Sequence, residues 1–234
     1  GTKMSKARGT FILAKRYLEH LNPEYLRYYY ATKLSDSADD LDINLDDFVQ
    51  RVNADLVGKI INIASRTAGF LVKHFDGELS SDLHDQPLMQ QFTDAADRIA
   101  DHFERGNFGK AMREITALAD LANQYVAAHE PWNMIKDPDR KTDVQPVCSQ
   151  AIQMFRALMI FLKPILPETA RRAEAFLAIA PLQWADLTSD LAGHRINPFK
   201  PMLQRMEAKK VEQLVDASEP EPAQEAKPQA AKKD

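Results

Sequence analysis

Cysteine is nearly absent. Cys148 stands alone among 234 residues, so no internal disulfide can form and no cysteine-rich zinc site can be assembled. Glycine is scarce, at eight residues, and strand-type alternation of apolar and polar side chains is rare, which points to helices. No apolar run approaches the roughly 20 residues that cross a bilayer. The opening Gly1-Thr2-Lys3-Met4-Ser5 lacks the apolar core of a signal peptide. His20, His74, His84, His102, His129 and His194 are scattered without ligand spacing, so no metal site is expected. Together these features predict a cytoplasmic protein with no membrane contact.

A global basic excess is also missing, since the formal net charge is −4. The charge is unevenly spread, however. Residues 1–33 hold seven Lys or Arg (Lys3, Lys6, Arg8, Lys15, Arg16, Arg27, Lys33) against Glu19 and Glu24, and residues 36–47 hold six Asp and no base. Such a basic block could approach phosphate, or both runs could simply be solvated surface.

What is present is ordinary globular material, 44% hydrophobic and 27% charged. Apolar residues recur at three- and four-residue steps through most of the chain. Residues 14–21 read as a helix. Asn22 and Pro23 are the N-cap and first position of another, carrying Tyr25, Leu26, Tyr28, Tyr29 and Leu34. A long helix is predicted over 45–74, with Val49, Val52, Leu56, Ile60, Ile63, Thr67 and Phe70 on one face. Further helices are predicted over 87–104, 108–129, 143–163 and 168–178, and a last one over 198–217, after a mostly loop stretch at 181–197. Pro131-Trp132 opens a short turn or helix. Thr10-Phe11-Ile12-Leu13 suits a short strand. The expected fold is mainly α: a bundle of about five helices over 45–217, preceded by a small α/β segment at 1–44. From 218 to 234 the chain carries Ala, Pro, Lys and Glu and no large apolar residue, so it is predicted to be a disordered linker to a further module.

Three constellations could carry chemistry. Lys3-Met4-Ser5-Lys6-Ala7-Arg8-Gly9-Thr10 places two lysines on a Gly-flanked loop, which suits a mobile polyphosphate clamp as well as a plain solvated loop. Asn62 and Arg66 sit one helical turn apart on the flank of the apolar stripe. Asn can read a base edge, and Arg can hydrogen-bond or stack on a base. Trp132, fixed by Pro131 after a helix end, could be a stacking platform for an unpaired base or a plug for the bundle end. Met154 and Met159 read as core filling, and Cys148 as a small buried residue.

The string of the first constellation resembles the KMSKS signature of class I aminoacyl-tRNA synthetases, including the following Arg-Gly-Thr, with Ala7 in place of the final serine. The run from Asp47 to Leu56, with Asn62, Arg66 and Pro131-Trp132 beyond it, resembles the anticodon domain of methionyl-tRNA synthetases. Order and spacing agree from residue 1 to about 217. The resemblance implies a methionine–tRNA ligase that uses ATP with Mg2+, in which Lys3 and Lys6 border the ATP site and Lys6 aids the transition state of adenylation. It also implies that Asn62, Arg66 and Trp132 contact the CAU anticodon of tRNA(Met), with Pro131 shaping that site. In that reading the catalytic domain and its zinc lie upstream, this chain alone does not form methionyl-adenylate, and a dimerisation module follows the linker. Gly58 departs from the family: many bacterial relatives carry Asn there, and glycine has no side chain to offer a base. The other class of function open to these residues is a non-catalytic helical module for tRNA or protein contacts.

Overall fold

The computed structural model describes residues 14–37, 41, 43–209 and 211. The strand expected over 10–13 and the linker expected over 218–234 lie outside the described residues. Of the described residues, 14–21 with 207–209 and 211 group as one unit, and those of 22–206 as another. In the first, α1 (Ala14–His20) buries Tyr17, and the backbone N–H of Leu21 extends the helix to the Tyr17 carbonyl at 2.9 Å. Val211 is buried too.

The second unit is an all-helical bundle. Among the described residues its only β pairing is one antiparallel bridge, Glu78 with Arg195. At its centre lies α9 (Val144–Leu162), the most apolar segment of the sequence, in which Val147 through Leu162 are all buried. Around it pack α4 (Asn62–His74), α7 (Phe108–His129) and α10 (Pro167–Leu177), with α5 (Gln86–Asp94) and α8 (Pro131–Met134) beside them.

α2 (Pro23–Lys33) begins as the sequence predicts. The Asn22 side chain accepts the backbone N–H of Glu24 at 2.9 Å, and Pro23 occupies the first turn. Of its charged residues Glu24 turns inward, while Arg27 and Lys33 stay exposed and bond to neighbouring segments. Glu24 is buried and accepts from the N–H groups of Glu168 (2.6 Å) and Thr169 (3.0 Å) and from the Thr169 hydroxyl (2.5 Å). It thereby caps the N-terminus of α10, where a carboxylate meets free donors and the positive end of the helix dipole. Arg27 donates to the carbonyls of Ile165 (2.8 Å) and Pro164 (3.0 Å). Lys33 pairs with Asp47 at 2.6 Å. Part of the basic block therefore ties the bundle together instead of facing phosphate.

Three expected helices change form. The one over 45–74 is a continuous rod made of α3 (Leu45–Arg51), a π-helical stretch (Val52–Ile61) and α4. In the π-helical stretch each residue bonds to the fifth along, which widens the turn, and Val52, Leu56, Ile60 and Ile61 are buried there. The helix over 87–104 divides at Ala95 into α5 and α6 (Ala96–Glu104), and there the Arg98 guanidinium takes the Asp94 carbonyl at 3.2 Å. The helix expected to begin at 198 does not. Pro198 and Pro201 lack amide N–H groups and bias Asn197 and Lys200 away from helical angles. Side chains then capture the backbone downstream. Asn53 donates to the Met206 carbonyl (2.9 Å) and accepts its N–H (2.7 Å), and the Tyr25 hydroxyl donates to the Gln204 carbonyl (2.7 Å). Helical geometry resumes only at 208–209 and 211, and 212–217 lies outside the described residues.

Candidate nucleic-acid interface

The rod of α3, the π-helical stretch and α4 puts Asn62 at the first position of α4 and Arg66 one turn further, both half-buried on its flank. The π-helical stretch ends where Asn62 begins. It is held there from two sides. The Asn123 amide donates to the Lys59 carbonyl (3.1 Å), and Lys59 pairs with Asp120 at 2.7 Å. The Tyr28 hydroxyl donates to Asp55 (3.2 Å), and burial followed by the charge of Asp55 raises the proton affinity of that phenol.

Trp132 arrives from the end of α7. Glu130 stops that helix in the left-handed conformation, at φ 48° and ψ 60°. Its carbonyl then accepts the N–H groups of Asn133 (2.8 Å) and Met134 (3.0 Å), which starts α8 at once. Pro131 and Met134 are buried and anchor the turn, while Trp132 is half-buried and partly open to solvent. A left-handed non-glycine residue is held only where its surroundings over-determine it. Behind the turn, the rings of Tyr125 and His129 lie 4.3 Å apart and those of His84 and His129 5.0 Å apart. His129 Nδ1 donates to the Tyr125 carbonyl at 2.8 Å, and the Tyr125 hydroxyl meets His84 Nδ1 at 2.8 Å. Burial, and next the neighbouring His129, hold His84 below the usual imidazole range, so it is neutral at neutral pH.

The tertiary structure brings the predicted residues together. The Arg66 guanidinium carbon lies 4.6 Å from the centre of the Trp132 ring, a cation–π contact across 66 positions of sequence. Asn62 and Ser65 open into a cleft of about 230 Å3, lined also by Gly58 and by Phe199, Pro201 and Arg205 of the extended segment. At Gly58 the tight neighbour is the rod's own backbone, and the extended segment comes only to ordinary contact distance. A Cβ there would sit 3.0 Å from the Asn53 carbonyl oxygen and 3.6 Å from the Arg205 guanidinium. Sequence reasoning passed over Ser65 and Arg205. Their signal was Pro198 and Pro201, whose spacing marks an extended chain with alternate residues 199, 201, 203 and 205 on one side. Lys3 and Lys6 lie outside the described residues. Among the described residues no cluster of three His, Cys, Asp or Glu could hold a metal ion, and no helix is long and apolar enough to cross a membrane.

The arrangement combines a half-open indole with a cation on its face, an amide one turn away and a cleft beside them. It can stack an unpaired base and read its edge. Comparison with known proteins bears on this geometry. The family model for the anticodon binding domain of methionyl tRNA ligase matches residues 77–215, which is more than half of the chain. The chain belongs to that family. A second model, for class I tRNA synthetases of the methionine type, matches residues 1–68. Among solved structures, the anticodon-domain chain is similar to Mycobacterium tuberculosis methionyl-tRNA synthetase. Against its methionyl-adenylate complexes the TM-score is 0.77 at 22% identity and 0.75 at 21%, with 86% and 85% of this chain covered. Against the apo form it is 0.71 at 21%, with 81% covered. At such identity the likeness speaks for the fold alone. The chain spans about two fifths of the length of those proteins, 40–41%.

Proposed function

We propose that this chain is the tRNA-recognising part of a methionine–tRNA ligase, and that Trp132, Arg66 and Asn62 receive the anticodon. The observation that carries the reading is the contact of Arg66 with Trp132 beside Asn62 on a half-open face. In this reading the first anticodon base of CAU stacks on Trp132, Asn62 and Arg66 hydrogen-bond its edge, and Pro131 holds the platform in register. The partner is tRNA(Met), and the protein works in the cytoplasm.

The intact enzyme would join methionine to ATP and then pass it to the tRNA. A catalytic domain upstream, with its zinc, would hold methionine and ATP with Mg2+. This chain's contribution to that step would be Lys3 and Lys6, which would neutralise charge developing on the phosphates as the methionine carboxylate attacks and pyrophosphate leaves. Residues 218–234 would link to a dimerisation module. The family match over 1–68 supports the lysine assignment, and the Ala, Pro, Glu and Lys composition supports the linker.

The test is a binding comparison between a CAU anticodon stem-loop and the same RNA with a swapped first anticodon base. Preference for CAU is expected, by about 1–3 kcal/mol per mismatched contact. Equal affinity for both RNAs would defeat the reading. Methionine-dependent ATP–pyrophosphate exchange by this chain alone would defeat the placement of catalysis upstream.

A further inference from the structure

The extended segment at 197–206 has two sides, and only one faces the cleft beside Asn62. Residues 199, 201, 203 and 205 line that cleft, while 198, 200, 201 and 202 line a second one against α10. Pro201 belongs to both, so the two clefts are neighbours across a single strand of chain. The second has a volume of about 600 Å3. The segment is pinned to α10 at both ends of it. At one end the Asn197 backbone N–H donates to the Phe176 carbonyl (2.9 Å) and its side-chain amide to the Ala175 carbonyl (2.8 Å). At the other, Arg172 donates to the Met202 carbonyl at 2.8 Å.

The charges around this cleft are cationic. Lys200 is exposed and forms no ion pair among the described residues. Arg171 is exposed and shares the Glu168 carboxylate with Arg172, at 2.7 and 3.1 Å. Arg171 and Arg172 thus share one carboxylate, and Lys200 beside them adds a third cation to the cleft. Arg205 continues the line on the other side of the segment, also without an ion pair among the described residues. Five extended residues span at most about 16–18 Å, so Lys200 and Arg205 stand within reach of a few consecutive nucleotides. The floor is apolar, from Phe176, Pro198 and Met202, and the amide of Asn197 in the lining is tied to the Ala175 carbonyl. A line of cations over an apolar floor suits a ligand with regularly spaced anionic groups and sugar faces.

We propose that the cleft between α10 and residues 197–202 holds the sugar–phosphate backbone of the same RNA whose anticodon sits on Trp132, with Lys200 and Arg171 as its phosphate contacts. This rests on the anticodon reading, since continuity through Pro201 is what selects RNA over an acidic protein segment. Arg172 is a positioning residue here, because its guanidinium holds the wall at Met202. Lys200 and Arg171 carry no base information, so they set affinity and leave discrimination to Asn62, Arg66 and Trp132.

The experiment measures binding of the CAU stem-loop and its anticodon-swapped form to the parent chain, to a Lys200→Ala/Arg171→Ala double variant and to a distant control, Arg105→Ala, over a range of salt. Losing two phosphate contacts should weaken both RNAs equally, by roughly 15–30-fold at about 0.15 M salt, and lower the slope of log K against log salt by about 1.4–1.8. The ratio between the two RNAs should not change, and Lys200→Arg in place of the alanine should restore part of the slope. Matching melting curves for parent and variant show that the fold is intact. An unchanged slope in a folded double variant overturns the proposal while leaving the anticodon reading standing. Equal binding of the two RNAs by the parent overturns the anticodon reading, and this inference with it. Loss of affinity for an acidic peptide such as poly-glutamate, with RNA binding untouched, assigns the cleft to a protein partner and also overturns it.

Discussion

Replacing Trp132 with alanine removes two interactions whose sizes can be stated separately. The first is the base stack of the proposed complex. An aromatic platform of this kind contributes about 1–3 kcal/mol per base, so the dissociation constant should rise between about fivefold and about 150-fold. The second is the Arg66 contact, at 4.6 Å from the ring centre with both side chains half-buried, which belongs to the free protein. A cation–π pair in such a setting contributes about 0.5–1 kcal/mol. A double-mutant cycle with Trp132→Ala and Arg66→Ala separates the two. In urea unfolding of the chain alone, the cycle should return a coupling of about 0.5–1 kcal/mol. In RNA binding the single losses should add to more than the double loss, because without the indole Arg66 has lost the surface that orients it. Trp132→Phe should keep part of the stack and bind between the parent and Trp132→Ala. If Trp132→Ala binds the CAU stem-loop within about twofold of the parent, below the smallest stacking loss, no base rests on this ring and the reasoning fails.

Glu24→Ala should cost about 3 kcal/mol of stability, since it strands two backbone donors at the start of α10 and the Thr169 hydroxyl. A shift in urea midpoint worth less than about 1 kcal/mol would mean that water replaces the carboxylate. Gly58→Ala should not return the roughly 1 kcal/mol that alanine usually brings to a helix interior. The new Cβ would lie 3.0 Å from the Asn53 carbonyl, and Asn53 is itself pinned by Met206. Full recovery of that gain would show that the contact yields. His84 should make the chain less stable in mild acid. Its folded-state pKa is depressed, so the unfolded chain binds the proton more readily. Stability is fully present above the unfolded value of about 6.5 and falls as pH drops below it toward the folded pKa. The groups that face it are His129, Asp85, Asp143 and the Tyr125 hydroxyl. His84→Gln should flatten the dependence below about pH 6.5, and an identical slope in the variant would assign it elsewhere.

The helices could be read from sequence because their signals are local. The bounds of α7 at Phe108 and His129, the cap at Asn22 with Pro23, and the apolar run of α9 each follow from neighbours a turn or two away. The placement of Asn62 and Arg66 on one flank is also local, since a helix fixes it. The π-helical stretch was not legible, because partners such as Asn123 and Tyr28 that bond to it lie elsewhere in the chain. The segment from 198 was misjudged as a helix for a related reason. Its Met, Leu and Val spacing suits one, but two prolines and the side chains of Asn53 and Tyr25 hold it extended.

Sequence by itself determined the family resemblance, the helical class and the identity of the residues at the candidate site. It could not say that Arg66 lies over Trp132, that Glu24 caps a helix beginning 143 positions later at Pro167, or that residues 199–205 wall a cleft beside Asn62. The physical reason is the range of the forces that decide each. Helix periodicity and capping are settled within about four residues, whereas burial is decided by whatever the folded chain brings alongside. Glu24 reads in sequence as an ordinary acid in a first helical turn, and only the approach of α10 turns it into a buried cap. The indole of Trp132 was equally free to plug the bundle end. Glu130 in its left-handed turn, the buried Pro131 and the cation of Arg66 are what hold it at the surface instead.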